Sequence, residues 1–134
     1  MDIEELVRLL MQCAKNVRKQ LGAGYLESVY KNAMIIELKK HGLGYEVERP
    51  ITVYYDQQVV GEFRADIIVE DAIILELKAV SDLHVAHEIQ LVNYLTSTGI
   101  DNGLLINFGS DSLQFKRKFR VYKKNSCVTP QTPS

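Results

Sequence analysis

The sequence lacks the features of an exported, membrane-bound or disulfide-stabilised protein. It holds only two cysteines, Cys13 and Cys127, which are too few for a disulfide scaffold and too far apart for a local metal knuckle. No apolar run approaches the roughly 20 residues that span a bilayer. The first five residues carry acidic side chains where a signal peptide would carry basic ones. We therefore expect a cytoplasmic protein with no membrane partner.

Motifs of several other active sites are also missing from the sequence. It has no Gly-x-Ser-x-Gly elbow, no phosphate-binding Gly-Lys-Ser/Thr loop and no His-Glu-x-x-His pair. The sequence thus offers no support for serine-hydrolase, P-loop or zinc-protease chemistry.

Length and charge limit the number of domains and the classes of partner that the chain can have. The chain has 134 residues, 46% of them hydrophobic and 25% charged, which is typical of one soluble domain. A net charge of −1 argues against a dedicated nucleic-acid binder. Residues 116–124, the basic ribbon, nevertheless carry six basic side chains and no acid. Such a ribbon can contact phosphates, but a solvated edge strand rich in lysine has the same composition. Its candidate nucleic-acid-binding residues are Lys116, Arg117, Lys118 and Arg120.

Hydrophobic spacing predicts the order of the elements. Helical spacing occurs at residues 2–21, 26–40 and 84–98. Runs of β-branched and aromatic residues predict strands at residues 45–55, 58–69, 72–80, 103–108 and 113–122. The order α-α-β-β-β-α-β-β indicates an α/β chain of the α+β type, a mixed sheet with helices against it. Proline and small polar residues predict a disordered tail at 125–134, which leaves 1–124 as a single domain.

Two charged residues stand in a strand that is otherwise apolar. Residues 72–79 read as a central strand buried on both faces, yet Glu76 and Lys78 share one of those faces. Burying such charges costs several kcal/mol unless they are paired or bound to a ligand. These two side chains therefore need an explanation.

The preceding strand supplies a second acid. Alternation places Ala65, Ile67 and Val69 on one face of this strand and Asp66 on the other. A hairpin that sets Val69 opposite Ile73 also sets Asp66 opposite Glu76, with side chains about 5 Å apart. Two acids at that distance repel each other unless a cation lies between them. Mg²⁺ or Mn²⁺, which prefer oxygen ligands, are the simplest candidates.

A buried salt-bridge network is the structural alternative. In that arrangement Lys78 neutralises Glu76 and Arg64 neutralises Asp66, and no metal is required. Composition and spacing alone leave both readings open.

The pattern of Asp66 followed by Glu76-Leu77-Lys78 resembles the core of the PD-(D/E)xK nuclease superfamily. In addition, residues 24–30, Gly-Tyr-Leu-Glu-Ser-Val-Tyr, resemble the signature of the GxxExxY protein family. The resemblance runs from about Leu21 to Arg120. It implies a restriction-endonuclease-like fold, which agrees with the predicted order of helices and strands.

The resemblance also implies a set of metal ligands. Asp66 and Glu76 would bind Mg²⁺ or Mn²⁺, with the carbonyl of Leu77 as a further ligand. Glu27, on the second helix, stands where many members of the superfamily supply an extra acid to the metal shell.

Further roles follow from the same resemblance. Lys78 would orient the attacking water or stabilise charge on the phosphate, and Gln90 and Tyr94 match a Q-x-x-x-Y element on one helix face. The superfamily often has proline before the first acid, whereas this chain has Ala65. That proline supplies no ligand, so the departure leaves the chemistry intact.

Three hypotheses follow from the sequence. The first is a Mg²⁺-dependent nuclease that hydrolyses phosphodiester bonds of DNA, or of RNA, and that would act as a symmetric homodimer when it cuts both strands. The second is a catalytically inactive module of the same fold that binds nucleic acid or a protein partner. The third is a protein that binds an uncharged ligand, or a purely structural protein, whose Glu76–Lys78 pair only supports the core.

Overall fold

The computed structural model describes residues 1–121, which contain three helices and seven strands. The helices are α1 (Ile3–Leu21), α2 (Glu27–Lys40) and α3 (Val85–Thr98). The strands are β1 (Tyr45–Val47), β2 (Pro50–Tyr55), β3 (Gln58–Arg64), β4 (Ile67–Val69), β5 (Ile73–Lys78), β6 (Asn102–Asn107) and β7 (Gln114–Phe119). The tail predicted at 125–134 lies outside the described residues. Within residues 1–121, no helix has both the length and the apolar character needed to cross a membrane.

Five of the strands form one mixed sheet. Its order is β1-β4-β5-β6-β7, and β5 and β6 are parallel while the other neighbours are antiparallel. Helix α3 makes the crossover that a parallel pair requires. Strands β2 and β3 form a separate hairpin. The predicted mixed α+β class is therefore confirmed.

Two of the predicted strands are each divided into two shorter ones. Segment 45–55 breaks after Val47, where Glu48 has a φ of 54°, and segment 58–69 breaks at Ala65. The Glu48 amide donates to the Asp66 carbonyl at 3.1 Å, so the two breaks lie side by side. The prediction of continuous strands was wrong, although Pro50 beside the first break and Asp66 beside the second are residue types that strands disfavour.

The bend between β3 and β4 also changes the face on which Ala65 lies. Ile67 and Val69 belong to one core, whereas Ala65 packs with Ile68 in the other. The predicted grouping of Ala65 with Ile67 and Val69 is therefore wrong, because side chains alternate only along an unbroken strand.

The sheet separates two hydrophobic cores. On one face α1 and α2 pack against Ile73, Leu75 and Leu77. On the other face α3 and the β2–β3 hairpin pack around Ile74 and Leu105. Strand β5 is thus buried on both sides, as predicted, and the Glu76 side of this strand faces α3.

Candidate active site

Asp66 and Glu76 lie side by side at the junction of β4 and β5. The ladder pairs Val69 with Ile73, as the sequence predicts, and Ile67 with Leu75. The next pair in this register is Asp66 with Glu76. The Asp66 amide donates to Glu76 Oε1 at 3.1 Å, and the Leu77 amide donates to Asp66 Oδ2 at 2.8 Å. Backbone hydrogen bonds therefore orient both carboxylates of this pair.

The electrostatics of this carboxylate pair favour a bound cation. Only 5% of Glu76 is exposed. Burial, and then the negative charge of Asp66, raise the pKa of Glu76 well above its usual range, while Lys78 offsets part of this effect. Carboxylate oxygens are preferred ligands of Mg²⁺ and Mn²⁺. A divalent cation would stabilise the charged form of both acids, so the donor set fits a metal of this kind.

Glu27, an exposed residue in the first turn of α2, interacts electrostatically with Asp66 and Lys78. Its pKa is raised by partial burial and by the charge of Asp66, whereas Lys78 and Lys31 lower it. Glu27 is therefore a third acid whose charge interacts with Asp66 and with the β5 lysine.

The Tyr30 side chain fixes the start of the helix that carries Glu27. Tyr30 is fully buried, and its ring stacks on Phe108 with centroids 4.6 Å apart. Its hydroxyl donates to the Gly22 carbonyl at 2.6 Å. Gly24 has a φ of 107°, a conformation that glycine adopts readily. The glycine and tyrosine of the motif thus set the position from which Glu27 points.

Lys31 also lies beside Asp66, although it was not among the predicted site residues. Its Nζ lies 2.8 Å from Glu48 Oε2 and 3.9 Å from Asp66 Oδ1, and its side chain is 14% exposed. The spacing of four residues from Glu27 on α2 is the signal that would have revealed it. Arg64, which the salt-bridge alternative paired with Asp66, instead donates to the Glu48 carbonyl at 3.2 Å.

Tyr94 approaches the carboxylate pair from α3. It is 9% exposed, and its ring stacks on Phe63 of the hairpin with centroids 4.0 Å apart. Burial and the charges of Glu76 and Asp66 raise the pKa of Tyr94 to about 12. Gln90, one turn earlier and exposed, borders with Tyr94 an open groove of about 620 Å³ between α3 and the hairpin.

The first turn of α3 brings an imidazole near Lys78. His87 Nδ1 accepts the His84 amide at 3.1 Å, so His87 caps its own helix. Burial, and then the charges of Lys78 and His84, lower the pKa of His87. This histidine therefore remains neutral more readily than an exposed one.

Residues 116–119 of the basic ribbon lie in the edge strand β7, and three of the four basic side chains in the described part of the ribbon form ion pairs. The ion pairs are Arg117 with Glu4 at 3.1 Å, Lys118 with Glu88 at 3.0 Å and Arg120 with Asp101 at 2.8 Å. Among residues 1–121, Lys116 has no carboxylate within ion-pairing distance, and it is exposed. Lys116 pairs with Leu105, which in turn pairs with Glu76. Lys116 therefore lies directly across the sheet from Glu76, two strands away, and their Cα atoms are about 10 Å apart.

Comparisons with known proteins identify the superfamily and the fold of the chain. The family model described as the PD-(D/E)XK nuclease superfamily matches residues 4–119, so the chain belongs to this superfamily. The crystal structure of SSO0001 matches with a TM-score of 0.59 and 19% identity, over 75% of this chain and 53% of that chain. The chain thus spans about half the length of that structure, with which it shares the fold. None of the curated proteins compared with the chain matches it significantly.

Proposed function

We propose that the protein is a metal-dependent nuclease that hydrolyses phosphodiester bonds of DNA, with RNA as the alternative substrate. The observation that carries this proposal is the contact between Asp66 and Glu76, two acids held together by backbone hydrogen bonds in a buried strand pair. Membership of a nuclease superfamily supports it.

The carboxylate pair would hold the metal ion. Asp66 and Glu76 supply the principal oxygen ligands, with the carbonyl of Leu77 and the carboxylate of Glu27 as further ligands. A bound Mg²⁺ or Mn²⁺ supplies Lewis-acid charge that lowers the pKa of water and neutralises charge on the phosphate.

The remaining residues of the site would orient and neutralise the substrate. The Lys78 ammonium, at the end of β5, offers a compact positive charge for the attacking water or for a phosphate oxygen. Tyr94, like any tyrosine, keeps its proton at neutral pH, and its raised pKa of about 12 extends this to more alkaline pH. Its hydroxyl can therefore donate to phosphate. The Gln90 amide, one turn away, can donate beside it.

The glycine, glutamate and tyrosine of residues 24–30 further support assignment to the GxxExxY family. Gly24 shapes the turn, Tyr30 anchors the helix and Glu27 interacts electrostatically with Asp66. These are three separate roles for the three residues that name the motif. A cytoplasmic location and a symmetric dimer remain predictions.

A cleavage assay with matched variants tests the proposal. Wild type, Glu76→Gln and Glu62→Gln are incubated with single-stranded, duplex, branched and nicked DNA and with RNA, in Mg²⁺ or Mn²⁺. Glu62 is an exposed acid on the hairpin and serves as the control. We expect cleavage by wild type and Glu62→Gln and none by Glu76→Gln. Binding of substrate without cleavage by folded, metal-supplied wild type would instead favour an inactive nucleic-acid-binding module.

A further inference from the structure

We propose that Cys13, Glu37 and His41 form a second cation site that takes Zn²⁺ or a similar borderline ion. The Cys13 sulfur, a Glu37 carboxylate oxygen and a His41 ring nitrogen lie within 4.8 Å of one another. These residues belong to the packed pair of helices α1 and α2. They are not part of the Asp66–Glu76 site.

The helices bring the three donors together at the edge of a core. Cys13 is in the middle of α1 and fully buried, and Glu37, in the last turn of α2, is 7% exposed. His41 follows four residues after Glu37 and therefore lies on the same helix face. Because His41 is exposed, an ion can reach the buried sulfur and carboxylate from that side.

The donor chemistry suits zinc. Zinc accepts sulfur, nitrogen and oxygen ligands in tetrahedral geometry, and three protein ligands leave one position for water. Bond lengths of about 2.0–2.3 Å place tetrahedral ligands about 3.5 Å apart, so separations of up to 4.8 Å must shorten by at most about 1.3 Å. Turning the exposed His41 ring and shifting the Glu37 carboxylate can supply that movement.

Charge balance gives a second reason. One thiolate and one carboxylate together carry two negative charges, which balance the two positive charges of a divalent ion. His41 coordinates as a neutral ring. Loss of the thiol proton to solvent on zinc binding therefore leaves the buried cluster without net charge.

Two neighbours of Glu37 are compatible with such a site. Asn16 Nδ2 donates to one carboxylate oxygen at 3.1 Å and orients the group, as residues behind metal ligands commonly do. Lys40 Nζ contacts the other oxygen at 3.1 Å, but its side chain is 64% exposed. An exposed ion pair of this kind contributes little free energy, so the ammonium can leave for solvent when a cation takes its place.

The position of the cluster assigns it a structural rather than a hydrolytic role. Glu37 follows Glu27 by ten residues, which is about 15 Å along α2. Cys13 lies in the core on the α1–α2 face of the sheet, whereas Glu76 faces α3. A zinc ion here would clamp α1 to α2, the helix that carries Glu27, and would raise the melting temperature.

Cobalt spectroscopy on the full chain tests this site separately from the nuclease. The parent protein carries Asp66→Asn and Cys127→Ser, so that Cys13 is its only thiol and the carboxylate pair is weakened. On addition of Co²⁺ we expect a near-ultraviolet thiolate-to-cobalt band that one equivalent of Zn²⁺ removes. Absence of the band would overturn the proposal whether or not the wild-type protein cleaves nucleic acid.

Variants of exposed residues make the test specific without disturbing the core. In the parent background, His41→Ala should weaken Co²⁺ binding at least about tenfold, whereas His84→Ala, which removes another exposed histidine, should leave it unchanged. Lys40→Met should strengthen binding because it removes the competing ammonium. Equal Co²⁺ affinity in His41→Ala and in the parent would contradict the assignment.

Discussion

Asp66 and Glu76 are joined by a hydrogen bond from the Asp66 amide to Glu76 Oε1, 3.1 Å long, although ten residues separate them. The Leu77 amide returns a hydrogen bond to Asp66 Oδ2 at 2.8 Å. Each carboxylate is therefore oriented before any ligand arrives. Such preorganisation is what a metal site needs, but the repulsion between the acids lowers the stability of the metal-free protein.

The Glu76→Gln variant separates activity from stability. We expect it to lower metal-dependent cleavage at least about 100-fold, because a principal ligand is lost. We expect its melting temperature without metal to equal or exceed that of wild type, because the amide replaces a carboxyl whose ionised form is costly to bury beside Asp66. Thermal unfolding and a cleavage assay on the same preparations measure both effects. A large fall in melting temperature would mean that Glu76 is mainly structural.

The raised pKa of Glu76 predicts a pH dependence of stability. A carboxyl whose folded pKa exceeds its unfolded value, about 4.3, adds stability that is complete below that value and is lost as the pH rises through the folded pKa. The metal-free wild type should therefore lose stability over this window, and Glu76→Gln should lose less. Denaturant unfolding across the pH range measures the difference. Identical pH profiles for the two proteins would contradict the assigned pKa shift.

Lys31 should oppose metal binding in the absence of substrate. Its ammonium lies 3.9 Å from Asp66 Oδ1, and two charges at about 4 Å interact by about 1 kcal/mol even in water. Lys31→Met should therefore tighten Mn²⁺ binding about fivefold or more, while Lys31→Arg keeps the wild-type value. Lys39→Met, an exposed lysine on the same helix, is the control. Calorimetry that finds weaker Mn²⁺ binding in Lys31→Met would show that Lys31 chiefly holds Asp66 in place.

The Tyr94 hydroxyl should act on the substrate and not on the fold. A hydrogen bond to a charged group is worth about 1.5–3 kcal/mol, so Tyr94→Phe should slow cleavage about 10- to 100-fold. Its ring, and hence the stack on Phe63, is retained, so the melting temperature should not fall. Tyr54→Phe, an exposed tyrosine of the hairpin, should cleave at the wild-type rate. An unchanged rate in Tyr94→Phe would remove the hydroxyl from the mechanism.

Lys116 should contribute more to nucleic-acid binding than its paired neighbours. Lys116 is exposed and lies directly across the sheet from Glu76, whereas Arg117 already forms an ion pair with Glu4. Lys116→Gln should weaken binding to nucleic acids of every sequence. It should also reduce the slope of the logarithm of the binding constant against the logarithm of the salt concentration by about one, the value for one lost phosphate contact. Arg117→Gln should change the salt slope less. Salt titrations of binding to the Asp66→Asn protein, which does not degrade its ligand, measure the slopes, and equal slopes would contradict the assignment.

The sequence predicts most of the helices and strands of this protein, because its hydrophobic residues recur with the periods of those elements. Helical spacing located α1, α2 and α3 to within a residue or two, and the apolar run around Glu76 identified the central strand. The register that places Asp66 beside Glu76 was predicted from a hairpin that pairs the two apolar stripes across a three-residue loop, and the pairing of Val69 with Ile73 agrees with it.

The remaining features depend on the tertiary structure. The first predicted strand breaks at Glu48, which has a φ of 54°, two residues before Pro50. The proline signals an interruption, but the exact position of the left-handed residue depends on the tertiary structure. The approach of Lys31 to Asp66 depends on how α2 packs against the sheet. Distances of that kind are set by packing between elements and leave no periodic trace in the sequence.

The most direct test of the central claim is cleavage of nucleic acid by wild type and by Asp66→Ala, with and without Mn²⁺, read on a denaturing gel. We expect fragments from wild type only when Mn²⁺ is present. We expect no fragments from folded Asp66→Ala at any Mn²⁺ concentration. Equal cleavage by both proteins, or cleavage by wild type in the presence of a chelator, would contradict a metal-dependent nuclease centred on Asp66 and Glu76.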